Sequence, residues 1–476
     1  MNSPGIPRST GTSDLINTGY ASNGNSYDSK CTHFRHKQAG KSLYVNNISS
    51  HIEKEQLIDD DSGGRLPVRH CRDRTRLLNL IKICGKEKDI WNVRRIHADA
   101  IQKNLIVKDA YIATAFISTY AKCGALDEAV KVFEKIPVPS VVPWSALISG
   151  YAQNQLNHEA LNCFRQMQIA GVSPDAITYV SILKACGNVG SLEIGEGIYA
   201  KVRQKGLLDK DVVLGTSLVD MYSKCGALDK AREVFEELPE RNIVSWSALI
   251  SGYARNGLGH EALKCFGRMQ REGIHPDSVT YACVLKACSI VGSLEIGEVI
   301  DGEVRKQGLL KKDFKLGTAL VNMYSKCGAP EKAQEVFELL SLRNVVTWSA
   351  LIAGYAQNGL GHKALKCFMQ MKHASVSPNV VTYVSVLKAC GIVGSLELGK
   401  EIDAEVGKQG LLQKDVLLGN ALVDMYSKCG AVERAQNVFE QLPERDVVTW
   451  NVLISGYAHN GLGHEALKYF RQMKDV

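Results

Sequence analysis

The chain repeats itself every 102 residues, and this constrains the fold more than any other feature. AlaLysCysGly at 121–124 returns as SerLysCysGly at 223–226, 325–328 and 427–430. Cys123, Cys225, Cys327 and Cys429 are therefore 102 apart, as are Trp144, Trp246, Trp348 and Trp450, and His158, His260, His362 and His464. A period without drift means a tandem array whose units touch only their neighbours, not an enzyme closed around one core.

Each period holds three unlike segments, illustrated by 212–242, 243–277 and 278–313, of 31, 35 and 36 residues. Each reads as a pair of helices. In 243–257, Val244, Leu249, Ile250 and Tyr253 share one helical face, and Gly257 is placed as a left-handed C-cap. Ala262, Leu263, Phe266 and Met269 mark a second amphipathic stretch, which Pro276 is expected to stop. Pro174 and Pro378 repeat that punctuation, as do Pro137, Pro239 and Pro443 in the shorter segment. Strict alternation is not sustained anywhere. The pattern predicts an all-α solenoid of helical hairpins.

Composition excludes several functions. The net charge of +7, from 57 basic and 50 acidic residues, permits a nucleic-acid partner without demanding one. Eleven of the 14 cysteines occupy repeat positions: Cys84, Cys186, Cys288 and Cys390; Cys123 and its three equivalents; Cys163, Cys265 and Cys367. No CysXaaXaaCys occurs, so these read as buried thiols in a reducing compartment. The periodic histidines read as cap or surface groups and the tryptophans as packing between units. No metal site is expected. No apolar run of 18 residues is present, so no membrane span is expected.

The strings TrpSerAlaLeuIleSerGlyTyrAlaXaaAsnGly, GluAlaLeuLysCysPheXaaXaaMet, MetTyrSerLysCysGly and LeuLysAlaCys with GlySerLeuGluIleGly resemble pentatricopeptide repeats. The resemblance is to the mixed P, L and S series of land plants, and it runs over 74–476. It gives L units at 74–109, 176–211, 278–313 and 380–415, and S units at 110–140, 212–242, 314–344 and 416–446. The P units are 141–175, 243–277, 345–379 and a shortened 447–476. It implies a right-handed superhelical solenoid (an α-α superhelix) whose first helices line the concave face.

The resemblance also implies a function. In that family the array binds single-stranded RNA, one base per unit, and the fifth and last residues of P and S units choose the base. Carried onto this chain, Ser145 with Asp175, and Ser247 with Asp277, imply guanine. Thr216 with Asn242, Thr318 with Asn344, and Ser349 with Asn379 imply adenine. Asn420 with Asp446 implies uracil, Asn451 a pyrimidine, and Thr114 with Ser140 departs from the usual combinations, with a purine as the guess. The L units carry Leu78, Val180, Ala282 and Val384 at the fifth place, and an apolar side chain cannot bond a base edge, so these units are expected to space rather than read. Val142, Val213, Val244, Val346, Leu417 and Val448 are the implied base wedges, with Tyr111 and Lys315 departing. Lys122, Lys224, Lys326, Lys428 and Arg255 are the implied phosphate contacts. The expected RNA, 5′ to 3′, is purine–G–x–A–G–x–A–A–x–U–pyrimidine.

Residues 1–73 differ in kind. They are rich in Ser, Asn and Gly, and through residue 50 carry five Lys and Arg against Asp14 and Asp28. Such a leader is compatible with an organelle transit peptide or an unstructured arm, with mitochondrion or chloroplast as the compartment, the former favoured. Relatives of this kind commonly guide cytidine-to-uridine editing, and many end in a deaminase-like domain. That chemistry needs HisXaaGlu together with CysXaaXaaCys, and no CysXaaXaaCys occurs to complete such a site. The chain is therefore expected to be a non-catalytic, monomeric RNA specificity factor without a cofactor, working with a separate deaminase-bearing protein or in RNA processing or stability. A protein–protein scaffold and a truncated editing factor are the alternatives.

Overall fold

The computed structural model describes residues 66–475 except 209, 210 and 312, with side chains from Arg74 onward except those of 311 and 475. The 1–73 leader thus falls almost wholly outside the described residues, although the first helix, Leu66–Glu87, begins ahead of the expected array start. The described residues form 25 α-helices, one 3-10 turn at Leu309–Lys311 and no strand. None of those helices is long and apolar enough to cross a membrane.

The helices pair as the periodicity predicts. In the 35-residue units the first helices are Val141–Gln153, Ile243–Arg255, Val345–Gln357 and Val447–His459, each followed by a second of 13 residues. The 31-residue units keep a 13-residue first helix, as in Val212–Lys224, but their second helix shrinks to 9 residues in Leu126–Glu134 and 10 in Leu228–Glu237. One helical turn, about 3.6 residues, accounts for most of the length difference. The segment 447–476, which the sequence reads as cut short, contains both helices of a hairpin, the second being Gly463–Asp475.

Consecutive first helices pack on one another and form a continuous inner layer. Each second helix packs on the first helix of its own unit and of the next. The recurring tryptophans work at this joint. Phe133 with Trp144, Phe235 with Trp246, and Phe337 with Trp348 each make an edge-on contact at 4.6 Å between ring centroids, across a unit boundary. A second recurrent tie comes from the Asn of GlyTyrAlaXaaAsnGly. Asn256 Nδ2 donates to Gly252 O at 2.8 Å and to Ser223 O, in the preceding unit, at 2.9 Å. Asn154, Asn358 and Asn460 repeat this pair of bonds.

Helix ends differ from expectation in one respect. Gly257 takes φ +80°, as a left-handed C′ residue should. The following helix, however, ends at Arg271, and Gly273 at φ +75° terminates it before Pro276 is reached. The proline lies in the extended linker.

The cysteines are packing groups. All 12 described cysteines are unpaired by disulfides, and burial pushes Cys163, Cys186, Cys288, Cys367 and Cys390 up to about 12. Cys225 and Cys429 sit 3.8 Å from the carbonyl oxygens of Cys186 and Cys390, as weak S–H donors across a unit boundary. No cluster of three or more His, Cys, Asp or Glu able to hold a metal exists among the described residues. His158, His260, His362 and His464 are exposed at the starts of second helices.

Candidate nucleic-acid interface

The last residue of a unit is the N-cap of the next unit's first helix. This gives each of these residues a structural task that sequence reasoning missed. Asn242 Oδ1 accepts from the backbone N–H of Val244 and Ser245, both at 3.0 Å. Asn344 does the same for Val346 and Thr347. Asp175, Asp277, Asn379 and Asp446 accept from the N–H of Thr178, Thr280, Thr382 and Thr449. Ser140 occupies the cap position without making a cap bond. All of these residues have the preferred cap chemistry, and Ser140 alone makes no use of it; the signal is legible as Asn, Asp or Ser before an apolar run.

Capping fixes the side chain where it can meet the fifth residue of its own unit. Ser145 Oγ lies 3.0 Å from Asp175 Oδ1, and Ser349 Oγ 3.3 Å from Asn379 Oδ1. Ser247 reaches Asp277 through the Thr280 hydroxyl, at 2.6 and 2.8 Å. The Asp446 carboxyl is held below the usual range first by the Thr449 backbone N–H and hydroxyl, with a smaller contribution from the Asn420 amide. The geometry of that last contact is poor, because both amide atoms of the buried Asn420 lack a regular hydrogen-bond partner. Thr216 Oγ1 is likewise buried and unpartnered. Thr318 and Thr114 donate to carbonyls of their own helices, Phe314 O and Ala110 O.

The caps after the 36-residue units are built differently. Asp109, Asp211, Asp313 and Asp415 have ψ of 99°, 93°, 95° and 105°, whereas the caps from Asp175 to Asp446 discussed above lie at 175–179°. Their units offer Leu78, Val180, Ala282 and Val384, partly buried, at the fifth place. No polar pair forms there.

Around the pairs stands a row of exposed aliphatic side chains. Exposure of the expected wedges runs from 46% at Val142 to 67% at Leu417, with Val213, Val244, Val346 and Val448 between. Tyr111 and Lys315, which depart from the aliphatic pattern, are exposed at the same place. The row includes three members not foreseen, Ile177, Val279 and Val381 of the 36-residue units, at 64%, 60% and 58%. Repeated at one place in successive units, these exposed apolar side chains form an ordered strip of the kind that marks a binding surface. Between Val213 and Val244 opens a cavity of about 440 Å³, whose walls also carry Thr216, Asn242 and Ser247. A second, of about 560 Å³, is lined by Val448, Asn451 and Lys428.

The five expected phosphate contacts are not equivalent. Lys224 and Lys428 are ion-paired one turn back, to Asp220 at 2.6 Å and Asp424 at 2.7 Å. Lys122 and Lys326 are exposed and have no carboxylate partner among the described residues, and Arg255 touches only Ser251 Oγ at 3.4 Å. Lys184, which the sequence reading passed over, lines the 440 Å³ cavity.

Comparison with known proteins agrees with this architecture. The model described as the PPR repeat family matches 139–188, 241–289 and 343–391, and the PPR repeat model matches 111–138, 216–243, 318–345, 420–447 and 448–476. Two Arabidopsis thaliana pentatricopeptide repeat-containing proteins, one chloroplastic and one mitochondrial, are each 36% identical over 83% of this chain. The chain spans 48% and 56% of their respective lengths, about half. Among solved structures, the pentatricopeptide repeat protein PPR10 in complex with an 18-nt psaJ RNA element aligns with a TM-score of 0.64 at 19% identity, over 91% of this chain and 66% of that one. PPR10 from maize aligns with a TM-score of 0.53 at 18% identity, over 92% and 72%. The structural likeness is one of fold. With repeat models covering more than half of the sequence, the chain belongs to the pentatricopeptide repeat family.

Proposed function

We propose that this chain binds single-stranded RNA in a sequence-specific way, one nucleotide per unit, as a mixed P, L and S array without catalysis of its own. The observation that carries this is the meeting of fifth and last residues: Ser145 with Asp175 and Ser349 with Asn379 converge beside exposed aliphatics. A base held between Val213 and Val244 would present its Watson–Crick edge to Thr216 and Asn242, which line the same cavity. PPR10, whose fold this chain shares, is known in complex with an RNA element. The relatives named chloroplastic or mitochondrial support work in one of those organelles. There the array serves as a specificity factor for cytidine-to-uridine editing, acting with a separate deaminase-bearing protein, or for RNA processing or stability. A protein scaffold would need neither the polar pairs nor their alternation with apolar fifth residues.

The test is binding of the full chain to an RNA containing GxAGxAAxU, against a scrambled RNA of equal composition at near-physiological salt. A preference of about tenfold or more supports the proposal, since mismatches of this kind cost about 1–3 kcal/mol each. Equal and strongly salt-dependent binding to both would reduce it to backbone attraction.

A further inference from the structure

At three unit junctions a buried hydroxyl stands between the fifth residue and the cap. Thr178, Thr280 and Thr382, the third residues of their units, are all 0% exposed. Thr280 donates twice to Asp277 Oδ1, from its backbone N–H and from its hydroxyl, both at 2.8 Å. Its only hydroxyl proton is thereby committed. Ser247 Oγ, 2.6 Å from Thr280 Oγ1, must then be the donor in that contact. What Ser247 has left for a ligand is lone pairs, and the second oxygen of Asp277 also only accepts. At Asn379 the same two donations from Thr382, at 2.9 and 2.8 Å, take the amide oxygen and leave the Nδ2 donor free to face outward.

We propose that this third-place hydroxyl is a positioning residue that sets the hydrogen-bond polarity of the preceding unit's reading pair. Over Asp it leaves an acceptor-only surface, which suits the N1–H and N2–H₂ donors of guanine. Over Asn it presents a donor, which suits adenine N1. The inference rests on the RNA-binding reading above and deepens it. The sequence supports it independently. Hydroxyls fill the third place after the other reading units as well: Thr449 repeats the donation, to Asp446 Oδ1 at 2.8 Å, while Ser245 and Thr347 donate to the backbone carbonyls of Asn242 and Asn344 at 2.9 Å; Ile112, Leu214, Leu316 and Leu418 fill it after units with an apolar fifth residue. The exception, Pro143, follows Thr114 and Ser140, the one pair with an irregular combination and no cap bond.

The experiment compares the full chain with Thr280→Val and Thr280→Ser on RNAs carrying G or A at the fifth position of the eleven-nucleotide site. Valine keeps the shape and the backbone N–H to Asp277 but frees the Ser247 proton. Wild type and Thr280→Ser should prefer G by about tenfold, and Thr280→Val by less than about threefold. Discrimination at the second position, read by Ser145 and Asp175 with Thr178 intact, should not move. A uniform loss of affinity with the G-to-A ratio preserved would mean a purely structural hydroxyl and overturn the inference. Absence of any base preference in the wild type would instead sink the RNA-binding reading, and the inference with it.

Discussion

Replacing Asn358 with Asp should damage the array severely, although the same change at Asn344 should not. The difference lies in which end of the amide is used. Asn358 Nδ2 donates to Ser325 O and Gly354 O, both at 2.8 Å, so its donor end ties two units together. A carboxylate there would place an acceptor against two carbonyl oxygens. Two hydrogen bonds are lost at roughly 1 kcal/mol each, and desolvated oxygens are left facing one another, which brings the total to about 2–4 kcal/mol. Asn344 uses its acceptor end, Oδ1, for the N–H groups of Val346 and Thr347. Asp caps a helix as well as Asn, so Asn344→Asp should stay within about 0.5 kcal/mol of wild type. Urea unfolding followed by circular dichroism gives the midpoints, and hydrogen exchange shows whether the loss is centred on 314–357, as nearest-neighbour coupling requires. The Asn358→Asp deficit should shrink near about pH 4, where the new carboxyl gains a proton to donate. Equal stability of the two variants would refute the assignment of the amide bonds.

Other consequences are as direct. Gln155 and Ser375 hold φ of +63° and +55°, where the equivalent units have Gly257 and Gly273, so Gln155→Gly and Ser375→Gly should each raise stability by about 1 kcal/mol in the same assay. Thiols raised to about 12, such as Cys186 and Cys390, should resist iodoacetamide at pH 8 in the folded chain and react promptly in urea; fast labelling of these peptides in the native state would contradict their burial. Lys326→Gln should lower the slope of log affinity against log salt by about 0.7, while Lys224→Gln, whose charge is already paired with Asp220, should lower it by less. An equal effect of the two would show that the ion pair opens on binding.

Much of this was legible in the sequence because the repeat places one chemistry at one structural position several times. The helical hairpins followed from apolar spacing, and the packed tryptophans from their fixed 102-residue step; of the cysteines expected to be buried, Cys84, Cys186, Cys288 and Cys390 are, whereas Cys123, Cys225, Cys327 and Cys429 are half-buried. The fifth and last residues came from a family resemblance. The cap signal of the last residue, Asn or Asp before an apolar run, stood in the sequence, but using it requires knowing where Ile243 or Val345 starts a helix, to within one residue. The ion pairs of Lys224 and Lys428 were readable in principle, since Asp220 and Asp424 stand one turn earlier, while Lys326 has Asn322 there and Lys122 has Ser118. The role of Thr280 was not readable. It needs the crossing of two helices from different units, which brings positions 33 residues apart within 2.6 Å.

The most direct test of the account is a paired exchange at one unit. Wild type and Asn242→Asp are each measured against RNAs with A or G at the fourth position of the site, with all else held constant. Both side chains cap the helix, so the fold is preserved and only the outward group changes, from amide donor to carboxylate acceptor. The account predicts that wild type prefers A, that Asn242→Asp prefers G, and that each mismatched combination is weaker by about tenfold. Two proteins that bind both RNAs alike would contradict it.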